Sequence, residues 1–164
     1  MEKTPLGGGA MVGVQLLRHW PKNGGFQLVV LGSGPEAPDS GFEYVQLPTK
    51  GPHPAPVKLS ELEYARFSRD FETSTTDWLL SQKDRLPPDR TCVMVNDIAE
   101  GPDLERISKA GYPIVSVWHV DVVDYFNKLY LRSVVRPERL TLLYERSRRL
   151  GMRWVIPDML QVVF

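Results

Sequence analysis

Three groups of residues in this 164-residue chain have the types and spacing to do chemistry. The first is Gly7-Gly8-Gly9, which runs directly into the apolar stretch AMVGVQLLRHW. A glycine turn that opens a helix presents unpaired backbone N–H groups to an anion or a polar ligand. The plainer alternative is a glycine-rich leader that meets no ligand, and the residues alone weigh the two evenly. The second is His119, which closes the apolar run YPIVSVWH. An imidazole in that place can hydrogen-bond a hydroxyl or share a developing charge, or it can be satisfied by a nearby backbone carbonyl. The third is a set of carboxylates: Asp97 at the end of TCVMVND, and Asp121 and Asp124 just past His119. Two carboxylates near a histidine can hold a metal or do acid–base work. Asp121 and Asp124 also suit the cap and first turn of a helix.

Other motifs fall away on inspection. GSGPEA (32–37) spells the dinucleotide pattern G-x-G-x-x-A, but Pro35, Pro38 and Asp39-Ser40-Gly41 dictate a loop where the fingerprint needs a helix. No lysine follows a glycine run in the phosphate-loop pattern, and no G-x-S-x-G, H-E-x-x-H or Cys–His zinc spacing occurs. Cys92 is the single cysteine, so no intrachain disulfide is possible. Inside the run TCVMV it reads as an inert buried thiol. RSRRL (146–150) with Arg153 is a basic cluster. A solvated helix face is its commoner meaning, with contact to anionic lipid or a nucleotide phosphate as the functional one.

These residues need a frame. Apolar residues make up 42% of the chain and charged residues 24%, a globular balance for one ordinary domain. Lys+Arg and Asp+Glu stand at 20 each, which argues against a protein built to grip nucleic acid. No stretch approaches the roughly 20 apolar residues of a membrane span, and residues 1–20 lack the basic start and apolar middle expected of a signal peptide. A soluble, cytoplasmic protein is the expectation, with peripheral membrane contact left open.

Val12, Leu16, Leu17 and Trp20 share one helical face, closed by Pro21 and Gly24-Gly25. FQLVVLG (26–32) and FEYVQLP (42–48) read as strands, and TKGPHPAPV (49–57) as an irregular loop. Ser60 and Glu63 form a capping-box pattern before a long helix to about Gln82, with a break expected near Ser74. TCVMVND is a third strand and 112–119 a fourth. Between them Pro102 takes the first helical position, Asp103 and Glu105 suit the helix dipole, and Gly111 can cap the far end. Residues 121–131 and 137–150 read as helices. Strands that alternate with helices and are apolar on both faces predict a parallel sheet covered on either side, with ligands at the carboxyl ends of the strands.

Taken together, GGGAMVGVQLLRHW, FQLVVLG and VMVNDIAEGPDLERISKAGYPIVSVWHVDVVDYF resemble the N-terminal domain of a retaining glycosyltransferase of the GT-B fold, glycosyltransferase family 4. Gly111, Pro113, Val115 and His119 match the family's G-φ-P-φ-V stretch and the strand that ends in histidine. The resemblance implies an α/β fold, a Rossmann-like three-layer sandwich with a mostly parallel sheet, here with its first strand missing. It implies transfer of a sugar from a nucleotide-sugar donor to a small-molecule, glycan or lipid acceptor, with retention and with no cofactor, metal or protein nucleophile.

Residues 1–164 would then be a single acceptor-side domain. The donor-binding domain would lie outside it, the isolated chain would be inactive, and association with a second copy is plausible. His119 would contact the transferred sugar, and Gly7, Gly8 and Gly9 would approach the donor diphosphate. Asp97 and Asp121 would line the substrate cleft, Asp97 on topology rather than on a family motif. The competing reading is a non-catalytic α/β module that binds a ligand or dimerises. A hydrolase is disfavoured because no nucleophile stands beside a base.

Overall fold

The computed structural model describes residues 8–35, 37, 40–49, 59–96, 100–117, 119 and 136–150. The described residues form a mixed α/β arrangement. In chain order the elements are α1 (Gly8–His19), β1 (Val29–Gly32), β2 (Glu43–Gln46), α2 (Glu61–Ser81), β3 (Val93–Val95), α3 (Leu104–Lys109), β4 (Ile114–Ser116) and α4 (Pro137–Arg149). Both strand pairs are parallel, as expected, but the described strands make two small sheets rather than one. β1 lies beside β2 with Val29 opposite Glu43. β3 lies beside β4 with Val93 opposite Ile114. The strands are three or four residues long. Turn-forming residues hem them in, with Ser33-Gly34 after β1 and Pro113 before β4.

α2 and α3 build the main core with β3 and β4. Leu79, Ile107 and Tyr112 are buried together, and Trp78, Leu86, Val93, Ala110 and Ile114 pack around them. The Tyr112 hydroxyl donates to the Leu86 carbonyl at 2.8 Å, and burial pushes its phenol above the ordinary tyrosine range. The opposite face of this sheet departs from expectation. Met94 and Val115 stand opposite each other in register and are 40% and 50% exposed. An apolar run does not distinguish a strand covered on both faces from one covered on a single face.

Local chemistry explains the helix ends. Glu63 reaches back to accept from the Ser60 N–H at 2.8 Å and the Ser60 hydroxyl at 2.5 Å, the expected start of α2. Those bonds, the hydroxyl's first, hold the Glu63 carboxyl below its usual range. α2 does not break near Ser74. Thr73 and Thr76 donate to the carbonyls of Arg69 and Glu72 at 3.0 and 2.7 Å, and Thr75 donates to that of Phe71, so the hydroxyls that compete with helix formation are absorbed by the helix itself.

Pro102 sits one residue ahead of the α3 cap rather than in its first turn. Asp103 takes the cap, accepting from the Arg106 N–H at 3.0 Å, and its own N–H donates to Thr76 Oγ1 at 2.8 Å. After the Ala110 cap, Gly111 adopts φ +93°, the left-handed conformation that suits glycine. Cys92 corrects its sequence reading. It is exposed, because β3 begins one residue later.

The β1–β2 pair is joined to α2 and the turn after it by smaller contacts. Leu47 is buried beyond β2. Ser74 Oγ donates to the Pro48 carbonyl at 2.7 Å, and Arg85 pairs with Glu43. Tyr44 lies against Gly32, where an added Cβ would stand 2.7 Å from its hydroxyl oxygen. That hydroxyl donates to the Gly34 carbonyl at 2.6 Å. Burial raises the Tyr44 pKa, and the bond to Gly34 partly offsets the rise. The glycines of GSGPEA therefore make room for a tyrosine, and no described residue between Gly32 and Phe42 is helical.

Candidate functional site

Parallel pairing brings the carboxyl ends of β3 and β4 to the same end of their sheet. The ladder runs one step past the strands, with the Val117 N–H donating to the Val95 carbonyl at 2.8 Å. One residue beyond Val95, the Asn96 carbonyl accepts a hydrogen bond from His119 Nε2. A carbonyl can only accept, so Nε2 carries the proton, and Nδ1 of the neutral ring is left as the acceptor. Two strand ends and the imidazole thus form one junction.

α1 closes on the same junction. A Cβ built on Gly13 would lie 2.8 Å from Asn96 Nδ2 and 3.4 Å from Asn96 Cγ. No larger residue fits there without moving the asparagine. Glycine inside a helix costs about 1 kcal/mol relative to alanine, and here it gives the helix its close approach to β3. Gly8 and Gly9 are the first two residues of α1, and about 7.5 Å of helix axis separates Gly8 from Gly13. The N–H groups of that first turn have no partner within the helix.

Of the residues singled out from sequence, His119 stands at this junction, and Gly8 and Gly9 open the helix that packs on it. Gly7, Asp97 and Asp121 lie outside the described residues. Gly13 was missed, and Asn96, placed at a strand's carboxyl end, was given no role of its own. The readable signal for Gly13 was a glycine inside the apolar helical stretch AMVGVQ. Asn96 was overshadowed by the aspartate that follows it.

A second polar group was also missed. Ser68, Glu72, Thr75 and Thr76 are buried with Phe71 and Leu79 on one stripe of α2. Thr76 links that stripe to Asp103 at the start of α3. Three helical turns earlier, the Tyr64 hydroxyl donates to Glu100 Oε1 at 3.1 Å. α2 therefore flanks the segment that leaves the carboxyl end of β3. Helical spacing made the stripe visible, but Ser and Thr at those positions read as a weak helix rather than as a buried face.

Among the described residues no three histidine, cysteine, aspartate or glutamate side chains converge as metal ligands, and no helix is long and apolar enough to cross a membrane. What the junction can do chemically is orient a hydroxyl or a phosphate, with an imidazole, an asparagine and helix N–H groups as its tools. The chain matches no protein-family model, no curated protein and no solved structure.

Proposed function

We propose that the chain is the acceptor-side half of a retaining, nucleotide-sugar-dependent glycosyltransferase, with a Rossmann-like three-layer arrangement as its complete form. One observation carries the reading: α1, opened by Gly8 and Gly9, is seated through Gly13 on Asn96, whose carbonyl also holds His119. Family resemblance in the sequence had singled out that glycine-led helix and that histidine. They share a junction at the carboxyl ends of parallel strands, where ligands of α/β folds bind.

In this reading the helix N-terminus meets the donor's phosphates. His119, held by Asn96, turns Nδ1 to accept from a hydroxyl of the transferred sugar. Asp97 and Asp121 line the acceptor side. The leaving phosphate takes the acceptor's proton, so the protein contributes positioning and charge stabilisation rather than a nucleophile. A second, donor-binding half completes the cleft, and binding to this half alone is weak.

The test is titration of the isotope-labelled chain with uridine, guanosine and adenosine diphosphate sugars, followed by amide NMR. Weak, saturable shifts at Gly9, Gly13, Asn96 and His119 are expected, and they should disappear in His119→Ala. Shifts confined to other regions, or none with any of the three, overturn the reading. Submicromolar affinity would also overturn it, because one wall of a two-walled cleft does not bind that tightly.

The bond from His119 Nε2 to a main-chain carbonyl favours a second reading, a non-catalytic α/β module in which the histidine only ties β4 to β3. In that case His119→Ala lowers stability and leaves every ligand titration unchanged.

A further inference from the structure

We propose that one exposed face of α4 docks on the surface of an anionic lipid membrane; the inference stands apart from the glycosyltransferase reading. At one residue per 100°, Arg139, Leu142, Leu143, Arg146, Arg149 and the following Leu150 fall within an arc of about 120°. All six are exposed, and the three leucines are 51%, 56% and 77% exposed. Glu138 and Glu145 lie at one border of the arc.

Residues 136–150 carry five arginines against two glutamates, in a chain whose basic and acidic residues balance overall at 20 and 20. The cationic excess is therefore local to this segment, and three of its arginines, Arg139, Arg146 and Arg149, share the arc that exposes leucine.

Composition selects the occupant. Nucleic acid would pair with the arginines and leave three leucines in water. A protein interface of ordinary anatomy gathers its apolar groups at the centre and its charges at the rim, whereas here Arg146 and Arg139 fall at the middle of the arc, with Leu142 on one side and Leu150 and Leu143 on the other. That mixing suits a helix lying in the plane of a bilayer. The leucines enter the acyl boundary, while each arginine lays its stem along it and lifts its guanidinium to the lipid phosphates. The fork of the guanidinium pairs with phosphate oxygens through two hydrogen bonds.

Co-sedimentation of the full chain with vesicles tests this. The vesicles are phosphatidylcholine alone, or phosphatidylcholine with about one-third phosphatidylglycerol, a strongly anionic surface. Binding is expected on the anionic vesicles only and should weaken as salt screens the charges. Each of Arg139→Gln, Arg146→Gln and Arg149→Gln should lower the partition about fivefold. Leu142→Ser/Leu143→Ser/Leu150→Ser keeps every charge and should lower it further still. Circular dichroism checks that the variants keep their helix content.

Equal partition on both vesicles overturns the proposal. So does binding that needs the arginines while ignoring the leucines, with RNA retained equally well, which marks a general polyanion site. Leucine-dependent self-association without vesicle binding overturns it in favour of a second copy.

Discussion

The β3–α3–β4 unit and the β1–β2 pair are both two parallel strands, yet different forces hold them. The first is closed by burial. Ile107, Leu79 and Tyr112 sit under the sheet with almost no exposed surface, and each turn is fixed by a cap, a left-handed glycine or a side-chain bond. Among the described residues the second has no buried cluster of its own. It leans on one tyrosine pressed against Gly32, on Leu47, and on polar links to Ser74 of α2 and to Arg85 in the turn after it. A crossover helix makes the difference. α3 brings an apolar face to its strands, whereas no described residue of the connection between β1 and β2 is helical.

The largest effect should come from the buried unit. Ile107 is 0% exposed, and Ile107→Ala removes three methyl or methylene groups from a site walled by two helices and two strands. A loss of about 2–5 kcal/mol is expected, read by urea unfolding. If the loss is below about 1 kcal/mol, the cluster does not bear the load given to it.

The β1–β2 pair is broken differently. Gly32→Ala needs no unusual backbone conformation, so its cost lies in the Cβ that meets the Tyr44 ring. About 1–3 kcal/mol is expected, the range for overpacking a tight contact. Tyr44→Leu should relieve most of it, so the two changes must couple in a double-mutant cycle. Simple additivity would show that the close approach does not restrain the pair.

The contrast also marks what the residues announce locally. The start of α2 was legible from Ser60 and Glu63, and the end of α3 from Gly111, because a cap is decided within four residues. The exposure of Met94, Val115 and Cys92 was not, since an apolar run carries no sign of which face will be covered. The stretch around Ser74 misled because Ser and Thr are poor helix formers until their hydroxyls find partners: Thr73, Thr75 and Thr76 bond carbonyls four residues back, and Ser74 bonds the Pro48 carbonyl. Pro102 misled because Asp103 is the better cap and Thr76, distant in sequence, takes its N–H. For the site, a histidine at a strand end was visible. Its tie to Asn96, and the fit of Gly13 over that same asparagine, join three segments far apart in the chain, and no local pattern reports such a meeting.

That meeting supports the smallest and sharpest of the predictions, which asks whether α1 belongs to the buried unit. Two effects of similar size oppose each other at Gly13. Alanine should favour the helix by about 1 kcal/mol, and its Cβ would stand 2.8 Å from Asn96 Nδ2. The amide is a side-chain end and can turn away, but only by giving up the position it holds beneath the helix. Gly13→Ala in the native background should therefore be neutral to destabilising by about 1 kcal/mol. In an Asn96→Ala background the obstacle is gone while the propensity gain remains. The same substitution should then stabilise the protein by about 0.8–1 kcal/mol. A change of sign between the two backgrounds, measured by thermal unfolding, requires that helix and asparagine touch. Equal effects in both would detach α1 from β3 and remove the glycine-led helix from the junction with His119.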